Sequence, residues 1–165
     1  MKLIFKVVLV LLLAALALAM ATVWRNRVPL ADPPGLITRL ATYFSKNIAL
    51  VEADSRFPEL RPNTYDMPPE QLFARVRTAV VELGWRIDRL DPGAYRLHAV
   101  VTTPWLGFKD DVAIEIRAQD DTRSQLFVKS TSRTGRADYG ANLRHIQDLL
   151  QRIHPQTVRG DGSGG

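Results

Sequence analysis

Residues 107–146 read GFKDDVAIEIRAQDDTRSQLFVKSTSRTGRADYGANLRHI, which contains two alternating apolar segments separated by a short polar turn. Five large apolar residues fall at every second position of these segments: Val112, Ile114 and Ile116, then Leu126 and Val128. A period of two residues is typical of strands with one buried face. The turn at Asp120-Asp121 is short, so the two strands are predicted to pair antiparallel.

The sequence on either side predicts the remainder of one α+β domain. A helix is expected from Pro68 to Gly84, followed by strands around Trp85–Ile87 and Tyr95–Val101. A closing helix is predicted over 139–153. We therefore expect a two-layer domain over 56–154, with a four-stranded antiparallel sheet and helices before and after it. Residues 155–165 are predicted to form a flexible tail.

The N-terminal residues 1–24 are predicted to form a transmembrane anchor or a cleaved signal. Residues 7–24 contain no charged side chain and, with the apolar residues before Lys6, are long enough to cross a bilayer. A small-residue cleavage site is available at Ala19–Ala21, but the apolar run is longer than that of a typical signal. We expect a single-pass membrane protein with its domain outside the cytoplasm, in the periplasm or an equivalent space.

Residues 25–55 are predicted to be a connector that contains an amphipathic helix. The segment begins with the polar, proline-rich sequence RNRVPLADPP. An apolar stripe follows over about 35–48, and its members are Leu36, Ile37, Leu40, Phe44 and Ile48. This helix is suited either to the membrane surface or to packing on the domain. Few basic residues accompany the stripe, which favours packing.

The composition excludes several classes of function. The chain holds 22 Lys and Arg against 17 Asp and Glu, interspersed and without a basic block that includes aromatic residues. Nucleic-acid binding is therefore not expected. The sequence has no cysteine, so it has no disulfide, no thiolate metal site and no cysteine nucleophile. The three histidines lack a zinc-ligand spacing, and neither a metal nor a cofactor is predicted.

Polar residues are concentrated at the start of the first strand and at the end of the second, and these two strand ends should lie side by side. We call this set the polar cluster: Asp110, Asp111, Ser130, Ser132, Arg133, Arg136, Asp138 and Asn142. In an antiparallel pair, the start of the first strand lies beside the end of the second. The sequence therefore predicts that these side chains converge near the start of the closing helix, with Asp138 as its N-cap.

The same region resembles the family named domain of unknown function 1499. The resemblance covers roughly 56–153 and includes the upstream entry Arg56-Phe57-Pro58-Glu59-Leu60 and the pair Gly84-Trp85. Ten residues match in order and spacing: Asp110, Asp111, Ser130, Ser132, Arg133, Gly135, Asp138, Gly140, Asn142 and Ile146. The resemblance implies membrane association or export, and it implies no established activity.

Three roles compete for the polar cluster. In a structural role, Arg133 and Arg136 neutralise Asp110 and Asp111, Asp138 caps the helix, and the serines bond backbone groups. In a binding role, the two arginines and the helix N-terminus hold an anion. In a catalytic role, the aspartates hold a cation or a serine acts with His145, although no motif frames such a nucleophile.

The sequence favours a non-enzymatic function. We expect a membrane-anchored envelope domain that binds a partner protein or an anionic or lipidic ligand. The alternative is a hydrolase-like or metal-dependent enzyme that uses Asp110, Asp111 and Arg133.

Overall fold

The computed structural model describes residues 1–103 and 107–153. Its helices are α1 (Lys2–Arg25), α2 (Leu36–Tyr43), α3 (Pro69–Glu82) and α4 (Ala141–Ile153), with a single 3₁₀ turn at Pro58–Leu60. The predicted tail at 155–165 and the loop residue Trp105 lie outside the described residues.

Among the described residues, six antiparallel strands form one sheet. They are β1 (Ile48–Leu50), β2 (Thr64–Tyr65), β3 (Arg86–Asp91), β4 (Arg96–Thr102), β5 (Lys109–Ala118) and β6 (Ser124–Ser132). Strands β3 to β6 form a meander, and β1 and β2 both pair with the far edge of β6. The predicted α+β class is confirmed, whereas the prediction of four strands is wrong because β1 and β2 were not expected.

The core lies between one face of this sheet and the helices α3 and α4. The predicted inward residues of β5 and β6, such as Val112 and Leu126, are buried and alternate with more exposed neighbours. Leu72, Val76 and Val80 of α3 lie in the same core. The helices therefore cover one face, and the other face of the sheet is open to solvent.

Residues of the predicted connector also join the sheet. Strand β1 places Ala49 opposite Ser130 of β6 and buries Ala49 in the core. Helix α2 ends at Tyr43, earlier than predicted, and begins at Leu36 after an N-cap at Gly35. It packs on the domain through Arg39 and Tyr43, whereas Leu36, Ile37 and Phe44 of the apolar stripe are exposed and Leu40 is half-buried. Most of the stripe therefore does not pack on the domain as expected.

Helix α1 is 24 residues long and is almost entirely exposed. By length and composition it is suited to span a membrane or to serve as a signal sequence. Its last turn meets the domain, where Asn26 donates from Nδ2 to the Tyr139 carbonyl oxygen at 2.9 Å. The Arg144 guanidinium donates to the carbonyl oxygen of Arg25 at 3.4 Å. The end of α1 is thus held against the start of α4.

Candidate functional site

The pleat of β5 separates the two aspartates of the polar cluster. Asp110 lies on the same face of β5 as Val112 and points to the core, where only 3% of its surface is exposed. Asp111 faces the opposite, open side of the sheet. Successive side chains of a strand point to opposite faces, so adjacent aspartates cannot share one site. The predicted convergence therefore yields two separate sites, one on each face.

On the core side, Asp110 pairs with His145 of α4. The distance from His145 Nε2 to Asp110 Oδ2 is 2.8 Å, and the Trp85 ring meets the imidazole edge-on with centroids 5.9 Å apart. Burial raises the pKa of Asp110, but hydrogen bonds from His145 and Ser132 outweigh burial and hold the pKa below its usual value. The carboxylate is therefore kept ionised next to a histidine.

Asn142 connects the remaining buried members of the cluster. Its Oδ1 accepts a hydrogen bond from Ser130 Oγ at 2.6 Å, and its Nδ2 donates to the Asn47 carbonyl at 2.7 Å and to Ser132 Oγ at 3.1 Å. Both Asn142 and Ser130 have no exposed surface. Such a saturated amide links α4, β6 and the segment before β1, which is a structural role.

Asp138 satisfies the start of α4, as predicted, although it lies three residues before the first helical residue. Its two carboxylate oxygens accept from the backbone N–H groups of Gly140 and Asn142 at 3.0 and 2.9 Å. Burial raises the pKa of Asp138 and outweighs these hydrogen bonds, which lower it. Because the side chain takes two of the helix donors, the N-terminus of α4 is poorly suited to bind an anion.

On the open face, Arg133 binds Asp111 through two parallel hydrogen bonds. The distances are 2.8 Å from Nε to Oδ2 and 2.7 Å from Nη2 to Oδ1. His98 Nε2 lies 3.3 Å from the same carboxylate. The Arg133 guanidinium is the main cause of the lowered pKa of Asp111. The Arg133 guanidinium thus forms a bidentate ion pair with this carboxylate.

The pairing predicted for the structural role is therefore only partly observed. Arg133 neutralises Asp111, but Asp110 is matched by His145, and Arg136 is exposed without an ion pair among the described residues. Sequence reasoning left His145 out of the cluster. Helical spacing could have indicated His145, because it lies three residues after Asn142 and residues three apart are neighbours on a helix surface.

A second candidate site, which the sequence did not indicate, is a cavity where α1 meets the domain. We call it the junction cavity; its volume is about 460 Å³. Its apolar lining includes Leu83, Trp85, Val101 and Phe108, and its polar lining includes Arg25, Asp138, Arg144, His145 and Asp148. His145 belongs to both sites, since it is hydrogen bonded to Asp110 and also lines the junction cavity.

The charges around the junction cavity leave donors for an incoming anion. Arg25 is exposed, and Arg144 is held only by a 3.4 Å pair with Asp148 and by the equally long bond to the Arg25 carbonyl. A guanidinium has five N–H donors, so both arginines retain unused ones. Mostly apolar walls with a small number of polar groups are typical of sites for small ligands.

The described residues do not assemble a metal-binding group. Within 1–103 and 107–153, no three or more His, Asp and Glu side chains are placed to hold a metal ion together. The sets proposed for a cation, Asp110, Asp111 and Asp138, are divided between the two faces of the sheet. The expectation that the protein uses no cofactor stays a prediction.

Comparison with known proteins identifies one family. A family model described as Protein of unknown function (DUF1499) matches residues 31–153, which is more than half of the chain. The match begins well before residue 56 and so includes α2 and β1. A comparison with curated proteins gave no match.

Proposed function

The chain belongs to the DUF1499 family of proteins of unknown function, and we propose that it is a membrane-anchored, non-enzymatic domain that binds an anionic amphiphile. In this proposal α1 spans the membrane, and the domain lies on the extracytoplasmic side. The ligand places its acyl or other apolar part in the junction cavity and its anionic group beside Arg25 and Arg144. A phospholipid of the surrounding bilayer fits this description.

The observation that carries the proposal is the position of the junction cavity at the end of the candidate span. Thr22 and Arg25 of α1 line it together with Trp85 and Phe108 of the domain. In a span centred on a bilayer, these last residues of α1 lie at the headgroup level. A lipid next to α1 therefore reaches the cavity without leaving the membrane. The volume of the cavity is within the usual range for ligand sites.

The enzymatic alternative has weaker support. Its three residues do not meet, because Asp110 faces the core while Asp111 and Arg133 bind each other on the open face. The Asp110–His145 pair resembles the second half of a nucleophile–base–carboxylate arrangement. However, no described serine, threonine or lysine hydroxyl or amine is hydrogen bonded to the other ring nitrogen of His145. Binding of a partner protein stays a prediction.

The proposal is tested with Arg144→Gln in the full chain, purified in a neutral detergent. Fluorescently labelled phosphatidylglycerol and phosphatidylcholine are titrated onto each protein. We expect phosphatidylglycerol affinity to fall about ten- to a hundredfold, because one charge-assisted hydrogen bond contributes on the order of 1.5–3 kcal/mol. The weak binding of phosphatidylcholine should change little.

Arg152→Gln is the matched control. Arg152 is also on α4 and also forms a 3.4 Å ion pair, with Glu82, but it lies outside the cavity lining. It removes the same charge from the same helix, so it should leave phosphatidylglycerol affinity unchanged. Equal losses of phosphatidylglycerol affinity in both variants would show that only the net charge of the protein matters. Unchanged affinity in Arg144→Gln would contradict binding at the junction cavity.

A further inference from the structure

Helix α2 presents its apolar residues to the outside of the domain. Ile37 is 84% exposed and Leu36 is 52% exposed, and Phe44, at the other end of the helix, is also exposed. Leu36, Ile37 and Phe44 belong to the stripe for which the sequence favoured packing on the domain over the membrane surface, and we call them the α2 ridge. Two large apolar side chains in the first turn of α2 and a third at its C-cap form an unusual surface for a domain in water.

The orientation of α2 is fixed by its opposite side. Arg39 has no exposed surface, and its guanidinium forms two hydrogen bonds with the Glu59 carboxylate. It also donates to the backbone carbonyls of Asp32 and Pro33. A buried charge tolerates no loss of its partners. The helix therefore cannot roll to bury the ridge, because doing so would separate Arg39 from Glu59.

The chain holds the ridge next to the end of α1. Ten residues, 26–35, separate the two helices, and they fold back so that Val23 of α1 is buried. The Phe44 ring packs edge-on against Tyr139, whose carbonyl accepts from Asn26 directly after α1. Both ends of α2 are thus tied to the point where α1 would leave a bilayer.

The residues around this point have the character of a membrane interface. Trp24 is 87% exposed at the end of α1, and it is followed by the exposed Arg25 and Arg27. Lys46 is exposed two residues after Phe44. Tryptophan and basic side chains are enriched where a protein crosses from hydrocarbon to headgroups. The segment that joins α1 to the ridge therefore begins with residues suited to a membrane interface.

We propose that α2 lies in the interface of the same bilayer that holds α1, with the α2 ridge inserted beneath the headgroups. The domain then has two attachments to the membrane, one spanning and one lying in its plane, and it is held in a defined orientation. A bilayer is favoured over a second copy of the chain because α1 brings lipid to this position in every molecule. The proposal does not depend on the junction cavity.

The test places a probe on the ridge of the full chain in lipid nanodiscs. The natural sequence has no cysteine, so Ile37→Cys gives a single labelling site for an environment-sensitive fluorophore. Leu90→Cys is the matched control, an exposed apolar residue at the end of β3 distant from α1. Quenching by lipids that carry a nitroxide near the headgroup is measured for both.

We expect several-fold stronger quenching of the Ile37 probe than of the Leu90 probe, together with a blue shift of its emission. Equal, weak quenching at both positions would overturn the proposal. Disulfide-linked dimers of unlabelled Ile37→Cys in nanodiscs would overturn it as well, since they would assign the ridge to a second copy. Loss of phosphatidylglycerol selectivity in Arg144→Gln with quenching intact would separate this proposal from the cavity.

Discussion

Neighbouring carboxylates in this protein have different chemical environments because one strand places them on different faces. Asp110 is buried beside His145 and Ser132, whereas Asp111 is half-exposed and bound by Arg133. The pKa of both is lowered, but burial opposes the shift mainly at Asp110. Because hydrogen bonds lower the pKa of Asp110 despite its burial, the stability of the folded domain should decrease when this carboxylate is protonated at acid pH.

Replacing Asp110 by Asn is expected to flatten the acid dependence of stability. An unfolded aspartate has a pKa of about 3.9, and the folded pKa of Asp110 is lower. The ionised carboxylate thus contributes stability above the unfolded pKa, and this contribution is lost as the pH falls through the folded pKa. The free energy of unfolding, measured in urea from about pH 6 to about pH 3, should fall more steeply for the wild type than for Asp110→Asn. Parallel curves would contradict this assignment.

The outcome for His145 shows what sequence reasoning can and cannot reach. The alternation that placed Val112 inward also implies an inward Asp110, yet the prediction grouped Asp110 with Asp111 in one cluster. The distance from β5 to α4 depends on how the helix packs across β6, which no local pattern encodes. The pairing of Asp110 with a histidine 35 positions later therefore required the structure.

At the scale of elements, α2 shows a single ion pair overriding a hydrophobic pattern. Its apolar stripe indicated packing on the domain, yet Arg39 and Tyr43 occupy that contact. The Arg39 guanidinium also lies over the Phe57 ring, 5.1 Å from its centroid. Several partners converge on this one side chain, so the charge can be buried without remaining unpaired.

Glu59→Gln is expected to destabilise the domain by about 3 kcal/mol, because it leaves the Arg39 charge buried without its carboxylate. The same change at Glu82, which pairs with Arg152 on the surface, should cost less than about 1 kcal/mol. Urea unfolding followed by near-UV circular dichroism measures both. Similar costs in the two variants would show that Arg39 finds another partner.

The two short strands were missed for a different reason. Strands β1 and β2 contain three and two residues, which is too few to show a period of two. They exist because β6 offers an unpaired edge, and their backbones are satisfied by it. Strands β5 and β6 were predictable because each is long enough to alternate and a short turn joins them, whereas β3 was predicted only near Ile87 and its burial does not alternate.

At the scale of the whole molecule, the segment that follows α1 and the domain meet at a tight contact. Gly140, just before α4, has φ +84°, and a Cβ at this position would overlap the Cγ2 methyl of Val28. This contact, together with the Asn26 bond to Tyr139, holds the chain leaving α1 against α4. The junction cavity depends on this arrangement because residues of α1 and of the domain line it together, and the position of the α2 ridge depends on it because the chain from α1 leads directly to α2.

Gly140→Ala is therefore expected to loosen the junction. Gly135→Ala is the matched control: its φ is +91°, but its Cβ would meet nothing closer than the Ala137 carbonyl at 3.7 Å. Both variants should lose about 1 kcal/mol from the left-handed backbone, and Gly140→Ala should lose about 2 kcal/mol more from overlap. Limited proteolysis should then cut within 26–35 faster in Gly140→Ala alone.

Val28→Ala removes the methyl that the new Cβ would meet, so it should restore most of the additional loss when combined with Gly140→Ala. The double-mutant cycle isolates the contact from the backbone cost, which Val28→Ala cannot change. Restoration would mean that the anchor is held to the domain by direct packing of Val28 on Gly140. Equal stabilities of Gly140→Ala and Gly135→Ala, or no gain from Val28→Ala, would mean that the domain moves freely on its anchor, and both membrane proposals would then lose their geometric basis.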